Sequence, residues 1–228
     1  MLYPQSRLMV FCKAPEAGQV KTRLSASFED RGMDGNQIAA RIHEHLVLHI
    51  LRRILKNNVA PVQLWCSPNK DHPFFQKCKK EFGIELKDQG QGDLGERMSS
   101  AYDETLQSND SVVVIGTDCP MLNSSTIEQA FALLHKNECS VIGPAEDGGY
   151  FLLGLSETQP EIFNDISWGS SRVHSETLNK LSGMVHELSE LWDVDRPEDL
   201  QRLLDEAVEL GLSDEFRNFL EVEVKLVA

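Results

Sequence analysis

The sequence predicts an α/β fold: a largely parallel sheet covered by helices on both faces. Short apolar runs alternate along the chain with segments of helical periodicity, the pattern of strand–helix–strand units. One run, Val112-Val113-Val114-Ile115, is apolar at consecutive positions, as a strand buried on both faces must be. The 228 residues, 41% of them hydrophobic, contain no linker rich in Pro, Gly or Ser, so one domain spanning 1–228 is expected.

The elements follow in order. The first strand is Leu8-Met9-Val10-Phe11-Cys12. A long helix over 36–55 sets Ile38, Ile42, Leu46, Ile50 and Ile54 on one face and stops at Asn57-Asn58. Val62-Gln63-Leu64-Trp65-Cys66 and Ile84-Glu85-Leu86 read as strands around a helix over 74–82, and a helix over 94–106 leads to the Val112 run. Helices over 125–136 and 171–181 flank the strand-like Val141-Ile142 and the apolar run Phe151-Leu152-Leu153. The helix over 197–210 has a start signal in Asp195 and Glu198, spaced as a capping box, with Pro197 in the first turn. The tail, 214–227, reads as a helix, yet Val222, Val224 and Leu226 alternate as a strand would, and both readings stand. There is no internal repeat.

A net charge of −14 and pI near 4.9 exclude a nucleic-acid track, which needs a clustered cationic surface. The five cysteines are scattered without C-x-x-C spacing, and several fall in apolar runs where a thiol packs as a small hydrophobe, as in a reducing cytoplasm. No apolar stretch reaches membrane-spanning length. The expectation is a cytoplasmic protein with no membrane partner and an oligomeric state that the sequence leaves open.

Chemistry is suggested first by Asp118. It sits in Gly116-Thr117-Asp118-Cys119-Pro120, directly after the Val112 run, and Pro120 prevents the strand from continuing. A carboxylate at the C-terminal end of a parallel strand lies where open α/β sheets hold ligands, although Asp before a turn is also ordinary turn chemistry. The loop after the first strand, residues 13–24, places Lys13, Gly18, Lys21 and Arg23 together in an otherwise acidic chain. Glycine admits close approach of an oxyanion to the backbone, and the cations neutralise a diphosphate or triphosphate. The loop is neither a Walker A sequence nor a dinucleotide fingerprint. It reads as exposed, so replacing Lys21 or Arg23 is expected to leave stability nearly unchanged.

Gly90, Gly92 and Gly95 punctuate a second loop before a helix whose N-terminus can face an anion, with Asp93 and Glu96 spaced as a capping box. Three close glycines suggest a backbone that passes near something. Asp147, in Asp147-Gly148-Gly149-Tyr150, is a candidate for binding an acceptor hydroxyl or for general-base work, and Asp-Gly is equally a hairpin turn pair. Asp193 and Asp195, two residues apart on an extended chain, share one side and with Asp118 would suit a hard divalent cation. Since Asp195 also reads as a cap, Asp193 is the stronger ligand. Crowding by Asp193 would strain Asp118 in the empty site. His45 and His49 lie four apart on a helix but lack the H-E-x-x-H pattern, and no Ser or Cys carries an activating signature.

These motifs resemble, in order, a bacterial and archaeal transferase family within the GT-A, nucleotide-diphospho-sugar transferase superfamily. The resemblance rests on Phe11 to Pro15 with Gly18, Lys21, Thr22, Arg23 and Leu24; Gly92 to Met98; Gly116 to Pro120; Asp147 to Leu155; Trp168; and Asp193 to Leu200. It reaches about residue 204, and the tail from about 211 is not covered. It implies a three-layer α/β/α GT-A fold with a mostly parallel mixed sheet, a nucleotide-linked donor, a small-molecule acceptor and Mg²⁺ or Mn²⁺. Asp118 and Asp147 would be catalytic; Asp118, Asp193 and Asp195 would hold the metal; Lys13, Gly18, Lys21, Arg23, Gly92, Asp93 and Arg97 would bind nucleotide phosphates. One branch of the family is named for glycosyl transfer in arsenosugar biosynthesis. Its superfamily neighbours include nucleotidyltransferases whose first-loop lysine and arginine look similar to Lys21 and Arg23. A typical GT-A glycosyltransferase carries Asp-x-Asp, whereas Thr117-Asp118-Cys119 has one carboxylate, which lends weight to nucleotidyl transfer. Glycosyl transfer leads, nucleotidyl transfer with pyrophosphate release is the alternative, and a silent nucleotide-binding module is the third reading.

Overall fold

The computed structural model describes residues 1–29, 32–136 and 139–224. Its strands are β1 (Ser6–Lys13), β2 (Val62–Ser67), β3 (Glu85–Asp88), β4 (Ser111–Ile115), β5 (Cys139–Pro144), β6 (Tyr150–Leu155) and β7 (Met184–Glu187), in a sheet of order β3-β2-β1-β4-β6-β5-β7. β6 alone runs against the rest, pairing antiparallel with β4 and β5. The sheet is therefore mixed and mostly parallel, as expected.

Alternation of side chains along β1 builds the two faces. Leu8, Val10 and Cys12 enter one core with Val113, Ile115 and residues of α2 (Gly35–Leu55), α3 (Pro73–Phe82) and α5 (Ser124–Lys136). Met9 enters the opposite core with Val112, Val114 and Tyr102 of α4 (Leu94–Leu106), whose hydroxyl donates to the Leu153 carbonyl at 2.6 Å. The five cysteines are buried and unpaired. A third core joins Leu24 and Phe28 of α1 (Thr22–Glu29) and one face of α2 to the C-terminal segment, with Trp192, Val194, Leu203 and Phe216 buried between them. This packing fixes the first-strand loop against the chain's last 30 or so described residues, which matters for the site.

The differences from expectation are local. α1 was not foreseen: with 8 residues it offers one apolar pair, Leu24 and Phe28, four apart. Phe151-Leu152-Leu153 belongs to a full strand, and β7 lacks an apolar run because it is a half-exposed edge. The helix over 171–181 is shorter, α6 (Val173–Leu178), and that over 197–210 breaks at Glu206 into α7 (Pro197–Asp205) and α8 (Ala207–Leu210). The tail is helical over its described part, 214–224, with α9 (Asp214–Asn218) running into a wide turn at Phe219–Glu223, because Phe216, Phe219 and Leu220 are buried on α2. Leu226 lies outside the described residues. No helix among them is long and apolar enough to cross a membrane.

Candidate active site

The strand order reverses on either side of β1, and a cleft of about 660 Å³ opens beyond the C-terminal ends of β1 and β4. It is lined by Lys13, Lys21, Arg23 and Arg97 on the cationic side and by Asp118, Asp147 and Asp195 on the acidic side. A second cavity of about 360 Å³, bordered by Ala14, Pro68, Gly90 and Gly92, adjoins it and shares Lys13, Gln19 and Arg97. Two of the sequence-predicted loops thus meet Asp118, Asp147 and Asp195 in one groove.

Lys21 is not an exposed loop cation. Its side chain is 5% exposed; the ammonium is ion-paired with Asp118 Oδ1 and donates to the Val194 carbonyl at 2.5 Å. The backbone takes a left-handed conformation there, φ +49°, and starts α1 beside the Val194 segment, whose own N–H donates to the Asp118 carbonyl at 2.9 Å. The expectation of a stability-neutral Lys21 is corrected. Arg23 does lie at the surface, paired with Asp195.

Asp118 stands at the sheet rim with its side chain half exposed and Oδ1 turned inward. Burial opposes its ionisation, but Lys21, helped by His43 and Lys13, outweighs that and holds the carboxyl below its ordinary range. The strained carboxylate is instead Asp193, pushed up to about 7 by burial and then by Asp147 and Asp118. The expectation that Asp118 carries the strain is therefore corrected: crowding acts on the group without a lysine. Asp193 does not line the cleft, whereas Asp195 does. The capping reading of Asp195 also fails. Asp199 Oδ2 accepts from the backbone N–H groups of Asp195 and Arg196 at 2.9 and 2.6 Å, so the box is displaced by one residue and the Asp195 carboxylate is left to Arg23.

In the second loop the capping box is present: Asp93 Oδ1 accepts from Glu96 N, and Glu96 Oε2 from Asp93 N, each at 2.9 Å. Asp93 is thereby engaged in the cap. The glycines have internal reasons too. Gly90 and Gly92 adopt positive φ, and a Cβ on Gly95 would meet the Phe163 carbonyl at 2.8 Å and Trp168 Nε1 at 2.9 Å. Arg97 faces the cleft, held by Gln89 Oε1 at 2.8 Å and the Asp93 carbonyl at 3.1 Å. Asp147 caps the β5–β6 hairpin through Gly149 N at 2.7 Å, as the turn reading expects, and its side chain also lines the cleft.

Sequence reasoning missed Gln89 and His43. Buried Gln89 donates to the carbonyls of Cys12 and Trp65 at 3.2 and 2.8 Å, joining β1, β2 and Arg97; its burial has no signature in a polar loop. His43 packs behind Asp118, with Nε2 3.0 Å from the Lys13 carbonyl; burial lowers its pKa against the pull of Asp118. A neutral ring donating from Nε2 leaves Nδ1 buried without a partner. His45 stacks on Phe216 and His49 lies 3.0 Å from the Pro120 carbonyl, so neither serves a metal pair. Among the described residues no three carboxylate, His or Cys side chains converge tightly enough to hold a cation as they stand.

Residues 50–170 match the family described as "uncharacterized protein conserved in bacteria" (DUF2064). The chain belongs to that family. The match leaves out the first-strand loop and the Asp193 segment, which other comparisons do cover. A structure from Desulfovibrio desulfuricans G20, provisionally described as a nucleotide-diphospho-sugar transferase, is similar over 97% of this chain and 96% of its own, with 29% identity and a TM-score of 0.81. A cytidylyltransferase from Leptospira borgpetersenii is 14% identical over 98% of this chain and 95% of its own, TM-score 0.56. A CMP:2-keto-3-deoxy-manno-octonic acid synthetase complexed with CTP is 10% identical over 90% of this chain and 99% of its own, TM-score 0.53. The fold is that of nucleotide-diphospho-sugar transferases and nucleotidyltransferases. No curated protein matches the sequence.

Proposed function

We propose that this DUF2064 member is a transferase with a nucleotide-linked donor, moving a glycosyl group from a nucleotide-diphospho-sugar to a small acceptor. The observation that carries the reading is the cleft itself: in a chain of net charge −14, Lys13, Lys21, Arg23 and Arg97 meet at one strand-end groove, facing three carboxylates. Lys13, Lys21, Arg23 and Arg97 would hold the diphosphate, and the smaller cavity, which shares Lys13 and Arg97, would take the base. The 29% identity to a protein described as a nucleotide-diphospho-sugar transferase favours the glycosyl reading over the 97% of the chain that it covers. So do the apolar residues in the cleft lining, Trp168, Tyr150, Leu94 and Val173, against which a sugar ring could lie.

The donor set fits a divalent cation in its chemistry, since Asp118, Asp193 and Asp195 supply hard oxygens and their crowding is relieved by positive charge. Asp118 and Asp195, which line the cleft, with Asp193 behind them, would hold Mg²⁺ or Mn²⁺, which when bound would neutralise the departing nucleoside diphosphate. Asp147 would accept the proton of the acceptor hydroxyl as its oxygen bonds to the anomeric carbon and the carbon–phosphate-oxygen bond breaks. His43, neutral and buried, would position Lys13 through its carbonyl.

Nucleotidyl transfer is the second reading, favoured by the single carboxylate at Asp118 where Asp-x-Asp is usual. The two separate by product. The protein is incubated with Mn²⁺, nucleotide sugars or nucleoside triphosphates, and a panel of polyol and phosphorylated acceptors. Release of nucleoside diphosphate from a nucleotide sugar is expected; release of pyrophosphate from a triphosphate would replace the leading reading. Turnover of neither class with any acceptor would leave a silent binding module.

A further inference from the structure

The cations assigned to phosphate and the carboxylates assigned to metal are paired with each other. Lys21 is paired with Asp118, and Arg23 with Asp195. We infer that the site is built as a double charge exchange: metal and nucleotide bind as coupled ligands, because each frees the group that the other needs. This rests on the proposed nucleotide-linked function and specifies how that same site is loaded.

A diphosphate arriving alone must take Lys21 from Asp118 and Arg23 from Asp195, leaving two carboxylates without counter-charge beside Asp147 and Asp193. A divalent cation arriving alone must take the two carboxylates and leave two cations unpaired. The first of these is severe, since the Lys21 side chain is 5% exposed and would keep only the Val194 carbonyl. When both ligands arrive, every charge is matched again: ammonium and guanidinium with phosphate, carboxylates with metal. Neither pair belongs to the scaffold alone, because Lys21, Arg23, Asp118 and Asp195 all line the cleft.

The pair of Arg23 and Asp195 also spans the two parts of the chain that meet in the third core, and Lys21 reaches the second part through the Val194 carbonyl. Lys21 and Arg23 belong to the start of α1, Asp195 follows the buried Trp192 and Val194, and the Asp118 carbonyl receives the Val194 N–H. The exchange therefore changes the contacts between α1 and the C-terminal segment at the point where they enclose the cleft.

Linkage makes the coupling reciprocal, so metal must raise nucleotide affinity by the factor by which nucleotide raises metal affinity. A factor of roughly five- to 150-fold is the ordinary range for such coupling. The exchange makes a sharper prediction about metal-free binding. Asp195→Asn releases Arg23 in advance, so it should tighten metal-free binding of a nucleoside diphosphate by roughly two- to fivefold, the scale of an exposed ion pair, and shrink the metal enhancement correspondingly. Asp118→Asn should also tighten metal-free binding by releasing Lys21, while abolishing the enhancement. A carboxylate that serves only as a metal ligand would leave metal-free affinity unchanged.

The experiment is calorimetric titration of UDP, CDP, GDP and ADP into wild type, Asp195→Asn, Asp118→Asn and a charge control, Asp205→Asn, each in EDTA and in Mn²⁺. Asp205 accepts from Gln201 at 2.9 Å on the exposed face of α7 and reports the effect of net charge alone. Expected are enhancement by Mn²⁺ in wild type and in the control, and tighter metal-free binding only in the two site variants. Nucleotide binding that is equal with and without Mn²⁺, or metal-free affinity unchanged in Asp195→Asn, overturns the exchange and leaves the functional reading in place. Binding of no nucleotide under either condition overturns both. If Asp118→Asn does not fold, Asp195→Asn, an exposed pair, decides.

Discussion

Neutralising Asp193 should stabilise the metal-free protein, and only above a defined pH. The carboxyl is raised from an ordinary 3.8 to about 7, so the folded state holds the proton more tightly than the unfolded state does. Between those values unfolding releases the proton, the native chain binds more protons than the unfolded one, and stability falls as pH rises. The penalty is absent below about 4 and complete above about 7. A shift of about 3 units corresponds to a ceiling of about 4 kcal/mol. Asp193 is only half buried and its neighbours are partly solvated, so screening reduces the expected effect to about 1–2 kcal/mol. The test is urea unfolding of wild type and Asp193→Asn in EDTA at pH 5 and pH 8. The variant should gain about 1–2 kcal/mol at pH 8 and markedly less at pH 5. A gain independent of pH, or a loss at pH 8, would refute the reasoning that carboxylate crowding falls on Asp193.

Two further substitutions separate the buried from the exposed parts of the site. Lys21→Ala should cost about 2–3 kcal/mol in urea unfolding, because it strips the counter-charge from Asp118 and a donor from the Val194 carbonyl, whereas Arg23→Ala should cost less than about 1. Equal effects would contradict the burial of Lys21. Gly148→Ala should lose about 2–3 kcal/mol, since φ is +85° and a Cβ would lie 2.2 Å from the Ser171 carbonyl oxygen; a variant as stable as wild type would show that the segment around Ser171 yields freely.

Much of the fold was legible because its strands are short apolar runs and its longer helices carry a clear apolar face, as in 36–55 and 94–106. What was missed has weak local signal. α1 and β7 are ordered by what lies on them, the C-terminal segment in one case and the parallel pairing with β5 in the other. The site divides in the same way. Asp118 at the end of β4 could be read from position alone, and the first-strand loop from its cations. The pairing of Lys21 with Asp118 could not, since 97 residues separate them and a lysine in a polar loop carries no mark of burial. Asp195 and Glu198 matched a capping box in spacing, and only the hydrogen bonds show Asp199 in that place. The glycines of the second loop announced an unusual backbone correctly, but part of their reason was Trp168, 73 residues beyond Gly95.

In the proposed function one cleft joins a phosphate-binding side to a metal-binding side through Asp118. Electron paramagnetic resonance of Mn²⁺ titrated into wild type and Asp118→Asn, each with a saturating nucleoside diphosphate, tests it most directly. Wild type should bind one saturable Mn²⁺ per chain, dependent on the nucleotide, and the variant should give only the weak signal of the nucleotide–Mn²⁺ complex, because a neutral amide is a poor ligand for a hard cation and cannot balance its charge. The same Mn²⁺ stoichiometry and affinity in both proteins would contradict it, reducing Asp118 to a turn residue and the cleft to a feature of the fold.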